Sequence, residues 1–173
     1  MVTKLIGSAI VVLATTKIGY DAGSAYTRRV QELRAFQSGL WALKSEITFC
    51  QTMLAEALLK VSTLISTNVK AVFCTASENL TKQNGITAKE AWDSALTSCN
   101  KELSLKAEEL AILHSFGGML GNSDISGQIT NIELTIENLK SCESEAVSAE
   151  KKSKKLCRSL GVIAGIFLAI LFI

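Results

Sequence analysis

Apolar residues recur at alternating steps of three and four along residues 26–54, at Leu33, Phe36, Leu40, Leu43, Ile47, Cys50 and Leu54. Positions so spaced share one stripe of a helix, which predicts a long helix packed along that stripe. A matching stripe runs through residues 124–160: Ile125, Ile129, Ile132, Ile136, Leu139, Cys142, Ala146, Ala149, Ser153, Leu156 and Leu160. At 1.5 Å per residue each helix reaches roughly 50 Å, and together they read as an antiparallel pair. Shorter helices are predicted between them, over residues 52–65 and 69–82, the second closed by Gln83, Asn84 and Gly85. Thr87 and Glu90 have the spacing of a capping box and start a helix through Ala91, Trp92, Ala95, Leu96 and Cys99. Ser104 is expected to cap the next, which carries Leu110, Leu113, Phe116 and Leu120. A turn at residues 121–124 then caps the last long helix. The pattern predicts an all-α fold, an antiparallel bundle of about six helices.

The two ends read differently. Residues 160–173 hold no strongly polar side chain, and five of the nine residues 150–158 are basic. A helix needs roughly 20 residues to span a bilayer, with a lower limit near 17. Counting back to Leu156 gives eighteen, and Arg158 can reach its guanidinium to the headgroups. A buried C-terminal helix would leave nothing polar for water, so 156–173 is expected to cross the membrane. Residues 5–13 are apolar apart from Ser8. A secretory signal would need a small-x-small cleavage site soon afterwards, and its absence favours a retained span over 1–20. Gly19 with Gly23, and Gly161 with Gly165, have a spacing that lets membrane helices approach closely, or that chance supplies.

Charge then orients the chain. Residues 35–147 hold eight Lys against thirteen Asp or Glu, while the flanks hold ten Lys or Arg against three acids. Arg28, Arg29 and Arg34 follow the first predicted span, and Lys151, Lys152, Lys154, Lys155 and Arg158 precede the second. The positive-inside rule puts residues 21–158 in the cytoplasm and both termini across the membrane, a two-span hairpin carrying the bundle. The basic cluster fits lipid headgroups better than nucleic acid. The acidic middle is a solvated face that could also steer a basic partner.

Composition adds exclusions. With no Pro and 48% hydrophobic residues, long helices are favoured and disorder is not. Cys50, Cys74, Cys99, Cys142 and Cys157 have no metal-ligand or redox spacing, and those on the stripes read as small hydrophobes in the core. His114, the one histidine, has no orienting partner that the sequence nominates. Residues 116–121 (FGGMLG) lack the Gly-Lys-Ser/Thr ending of a phosphate loop. Enzymatic chemistry is not expected, nor any cofactor, metal or nucleic acid. A thiol-dependent enzyme would need a reactive Cys of lowered pKa.

Four stretches in this order resemble the stage III sporulation protein AB family: residues 4–19 (KLIGSAIVVLATTKIG), 29–40 (RVQELRAFQSGL) leading to 45–47 and 52–57 (TMLAEA), 91–96 (AWDSAL), and 116–124 (FGGMLGNSD) with Gln128, followed by 159–161 and the apolar tail. One departure is Met53, where the family pattern leads one to expect Pro at a first helical position. The resemblance implies a cytoplasmic helical domain like that of the type II secretion inner-membrane platform protein. It also implies a part in the channel-like complex joining mother cell and forespore, beside a secretion-type ATPase. On that reading the chain is a scaffold in the mother-cell membrane facing the forespore, docking the ATPase and other membrane proteins of the complex, with a homo-oligomer possible in principle. Glu46, Glu56, Asp124 and Gln128 lie in the family-like stretches and are the interface candidates, against the plainer reading that each caps a helix or faces water. The alternatives are a membrane signalling hairpin, against which no extracytoplasmic sensing domain is expected at either end, and a structural channel part without ATPase contact.

Overall fold

Burial follows the three-four stripe of the first predicted helix almost to its end. α1 (Val2–Ser45) buries Leu33, Phe36, Leu40 and Leu43 completely. A π-turn (Glu46–Cys50) follows and buries Ile47. The computed structural model describes the backbone of residues 2–50, 52–82, 85–121 and 124–172, and within those ranges the side chains from 24 to 153. Four shorter helices come next: α2 (Leu54–Leu64), α3 (Val69–Lys82), α4 (Ala88–Cys99) and α5 (Ala107–Met119). A 3₁₀ turn (Asn100–Glu102) separates the last two, and α6 (Ile125–Phe172) ends the chain. The described residues are all-helical, with six α-helices and no strand.

The chain divides into two compact units. One is Gln31–Ser144; the other combines Met1–Val30 with Glu145–Ile173. In the first, α1 and α6 lie side by side and antiparallel. Arg34 Nε donates to Glu143 Oε1 at 2.6 Å, Gln37 Nε2 to Glu143 Oε2 at 2.9 Å, and Lys44 pairs with Glu133. Along the short helices each packs on the next, α2 on α3, α3 on α4, α4 on α5. Phe36, Phe73, Trp92 and Phe116 make a ladder through α1, α3, α4 and α5, with ring centroids 6.1, 5.4 and 5.2 Å apart. The last two contacts are edge-on, each adding about 0.5–1.5 kcal/mol beyond burial. Buried polar groups join helix to helix: Trp92 Nε1 on α4 donates to the Leu113 carbonyl of α5 at 2.8 Å, and Asn131 Nδ2 on α6 to that of Phe116 at 3.3 Å.

Of the second unit, the described side chains are those of residues 24–30 and 145–153. There Arg28 Nη1 donates to Ser24 Oγ at 2.9 Å, and Arg29, Val30 and Ala146 are buried. Among the described residues no helix is long and apolar enough to cross a membrane. The predicted spans 1–20 and 156–173, with Gly161 and Gly165, lie outside the described side chains.

Three expectations are corrected. Cys50 is exposed rather than core, because the π-turn widens the helix by one residue and rotates the positions beyond Ile47 off the stripe. Ile125 is 53% exposed, since the first turn of α6 starts beyond the point where α1 covers it. Ser104 does not cap α5. The residue before that helix is Lys106, whose N–H donates to Glu109 Oε2 at 2.7 Å, while the Ser104 N–H donates to the buried carboxylate of Glu32 at 2.6 Å. The capping box at Thr87 and Glu90 is present as expected.

Candidate functional site

The π-turn decides what stands at the end of α1. Glu46 opens it, and its Oε2 accepts from the Thr52 hydroxyl at 2.9 Å and from Lys60 Nζ at 3.3 Å. Lys60 also pairs with Glu56 at 3.3 Å, one helical turn earlier on α2. Two of the four interface candidates are thus joined through a lysine that the sequence did not nominate. The Thr52 hydroxyl, helped by Lys60, holds the Glu46 carboxyl below its ordinary value against the opposing effect of burial. Lys60 is raised by Glu56 and then Glu46.

Around this cluster the chain exposes large apolar side chains. Phe49 is 82% and Met53 79% exposed, the two highest values among the described large hydrophobic residues. Met53 takes φ −58° and ψ 140°, an extended conformation just ahead of α2, so it is the residue before the first helical position rather than the first. Leu64, also exposed, stands at the other end of α2. A sequence signal for Phe49 existed: it falls between the stripe positions Ile47 and Cys50.

Asp124 and Gln128 belong to another feature, the start of α6. Asp124 Oδ1 accepts from the Gly127 N–H at 2.9 Å, and its carbonyl from the Gln128 N–H at 3.0 Å. Asp124 therefore serves as an N-cap for α6, satisfying donors that a helix start leaves open.

Elsewhere, His114 Nδ1 lies 2.6 Å from Asp93 Oδ1, a partner across α4 and α5 that the sequence could not supply. Burial pushes the Cys74 thiol up, with Glu78 adding to it, and burial does the same at Cys99. An activated nucleophile needs the opposite direction. Among the described residues no three His, Cys, Asp or Glu side chains gather to hold a metal.

The fold and this surface define a helical-bundle protein whose distinctive groups are apolar and charged side chains turned outward. The model of the family described as stage III sporulation protein AB matches residues 4–173, and the chain belongs to that family. It is 33% identical over 168 residues to stage III sporulation protein AB of Bacillus subtilis (strain 168), covering 97% of this chain and 98% of that one. A solved structure of stage III sporulation protein AB is 30% identical, with a TM-score of 0.68 over 72% of this chain and 98% of the other.

Proposed function

We propose that this chain is a platform of the sporulation channel complex, held in the mother-cell membrane that faces the forespore. Residues 1–20 and 156–173 are its anchors. The helical body lies in the cytoplasm and docks a secretion-type ATPase with other membrane proteins of the complex, without catalysing a reaction of its own.

The observation that carries this reading is the Arg34–Glu143 bond at 2.6 Å. These residues sit close to the two ends of the unit Gln31–Ser144, so the chain enters and leaves that unit at one end. A body whose two connections emerge together suits a hairpin anchor, and it leaves the opposite end for partners. The thirteen acids against eight lysines in residues 35–147 give that body a charge able to steer a basic partner.

Co-purification tests it. Detergent-solubilised full-length protein should retain the ATPase of the same complex, and removal of residues 31–144 should abolish retention. Binding that survives the removal would move the contact to the anchors. No binding, with spore formation still dependent on the chain, would recast it as a structural part of the channel.

A further inference from the structure

The end of the unit Gln31–Ser144 away from Arg34 and Glu143 carries a knob of apolar side chains. Phe49 and Met53 keep about four-fifths of their surface in water, and side chains that exposed protrude rather than line a groove. They flank the break between α1 and α2, where no helix of the unit covers them. Residues on either side of them are held. Thr48 Oγ1 donates to the Lys44 carbonyl at 2.8 Å, and Thr52 and Lys60 both hold Glu46 across the break. A pre-fixed anchor loses less freedom on binding than a floppy one. Methionine adds an unbranched thioether that adapts to an uneven pocket.

The surrounding charge is negative. Glu46 and Glu56 share the single Lys60, and Lys44 is already paired with Glu133. Asp124 begins α6, and the Lys44–Glu133 pair places that start towards the same end, about 13 Å of helix before Glu133. On α1, α2 and α6 four carboxylates thus stand against two lysines, and the Glu78–Lys82 pair on α3, beside the start of α2, leaves that balance unchanged. That balance disfavours two occupants on physical grounds. A bilayer with anionic headgroups would be repelled by this rim. A second copy related by a two-fold axis would set Glu46 and Glu56 against their own counterparts.

We infer that Phe49 and Met53, rimmed by Glu46 and Glu56, insert into an apolar pocket edged by Lys or Arg on a soluble partner protein. The inference rests on the platform reading and gives the docking surface its chemistry: buried apolar anchors supply affinity, and the rim carboxylates supply orientation and a salt-sensitive encounter rate.

The test measures binding of the purified ATPase of the complex to the full-length detergent-solubilised chain. Wild type is compared with Phe49→Ser/Met53→Ser, Glu46→Gln/Glu56→Gln, and Leu134→Ser, which alters an exposed leucine on α6 as a control. The apolar double variant should bind at least about tenfold more weakly, as loss of two anchors requires. Leu134→Ser should stay within about twofold, in the range of residues that bear little of the energy. The glutamine variant should flatten the dependence of affinity on salt. Circular dichroism that matches wild type guards against misfolding, which is not expected at the exposed Phe49, Met53, Glu56 and Leu134 and is checked above all at the half-buried Glu46. Wild-type affinity in Phe49→Ser/Met53→Ser would overturn the inference and leave the platform reading standing. No binding by wild type at any salt would overturn both. Self-association of the wild type that the apolar double variant abolishes, with ATPase binding unchanged, would assign the knob to a second copy and equally overturn it.

Discussion

A Cβ built on Gly117 would lie 2.6 Å from Trp92 Cδ1, closer than real side chains approach. The indole cannot step aside, because Nε1 is bonded to the Leu113 carbonyl and the ring is wedged between Phe73 and Phe116. Replacing Gly117 by Ala recovers about 1 kcal/mol of helix preference but overpacks a core at a cost of about 1–3 kcal/mol. A net loss is expected, read as a lowered denaturation midpoint; an unchanged or raised midpoint would show that the ladder can shift. Gly39 tells the same story against Phe73 Cζ at 2.8 Å and Ile65 Cδ1 at 2.9 Å. Met53 runs the other way. Its φ of −58° is one that Pro adopts without strain, and it precedes the helix, so Met53→Pro should stabilise by about 0.4–1 kcal/mol through the unfolded chain. A loss in chemical denaturation would mean that the Met53 N–H has a bond to give up.

At the scale of elements, starts and ends were unequally readable. Thr87 and Glu90 bond reciprocally, with the Glu90 N–H donating to Thr87 Oγ1 at 3.2 Å and the Thr87 N–H to Glu90 Oε2 at 2.9 Å. Thr87→Ala should therefore cost about 1 kcal/mol in a thermal or denaturant melt. That box was legible because it is local, four residues speaking only to each other. Ser104 had the same residue type, but its N–H meets Glu32, 72 positions away in the chain, and no local pattern encodes such a contact. The π-turn was likewise hidden, since the spacing of Ile47, Cys50 and Leu54 suits an unbroken α-helix and only packing shows the extra residue. The knob at Phe49 and Met53 depends on that turn: the spacing puts Phe49 off the stripe, but only the break in the helix leaves it and Met53 uncovered. Between α1 and α6, burial pushes the Glu143 carboxyl up, while hydrogen bonds from Arg34 and Gln37 outweigh it and hold the group below its ordinary value of 4.5. A carboxyl lowered on folding contributes stability that is present above that ordinary value and is lost as pH falls through the lowered one. Glu143→Gln should thus make the acid decline of stability shallower below about pH 5, seen in melts across a pH series. An identical decline would show that the bond adds nothing in solution.

For the whole molecule, family membership and the all-helical unit describe what the chain is, while its role depends on where that unit stands relative to the membrane. The apolar ends, the basic residues beside them and the single end at which Gln31–Ser144 is entered and left all favour a hairpin with its body in the cytoplasm. Docking of a soluble ATPase is possible only on that side. Gly85, exposed after α3, is a position where an inserted reporter leaves the core untouched. A fusion there that is active only in the cytoplasm, made in the full-length chain and assayed in cells, tests the account most directly. Cytoplasmic activity, with the protein in the membrane fraction, is the result the account predicts. Extracytoplasmic activity, or a protein recovered free of the membrane, would contradict it.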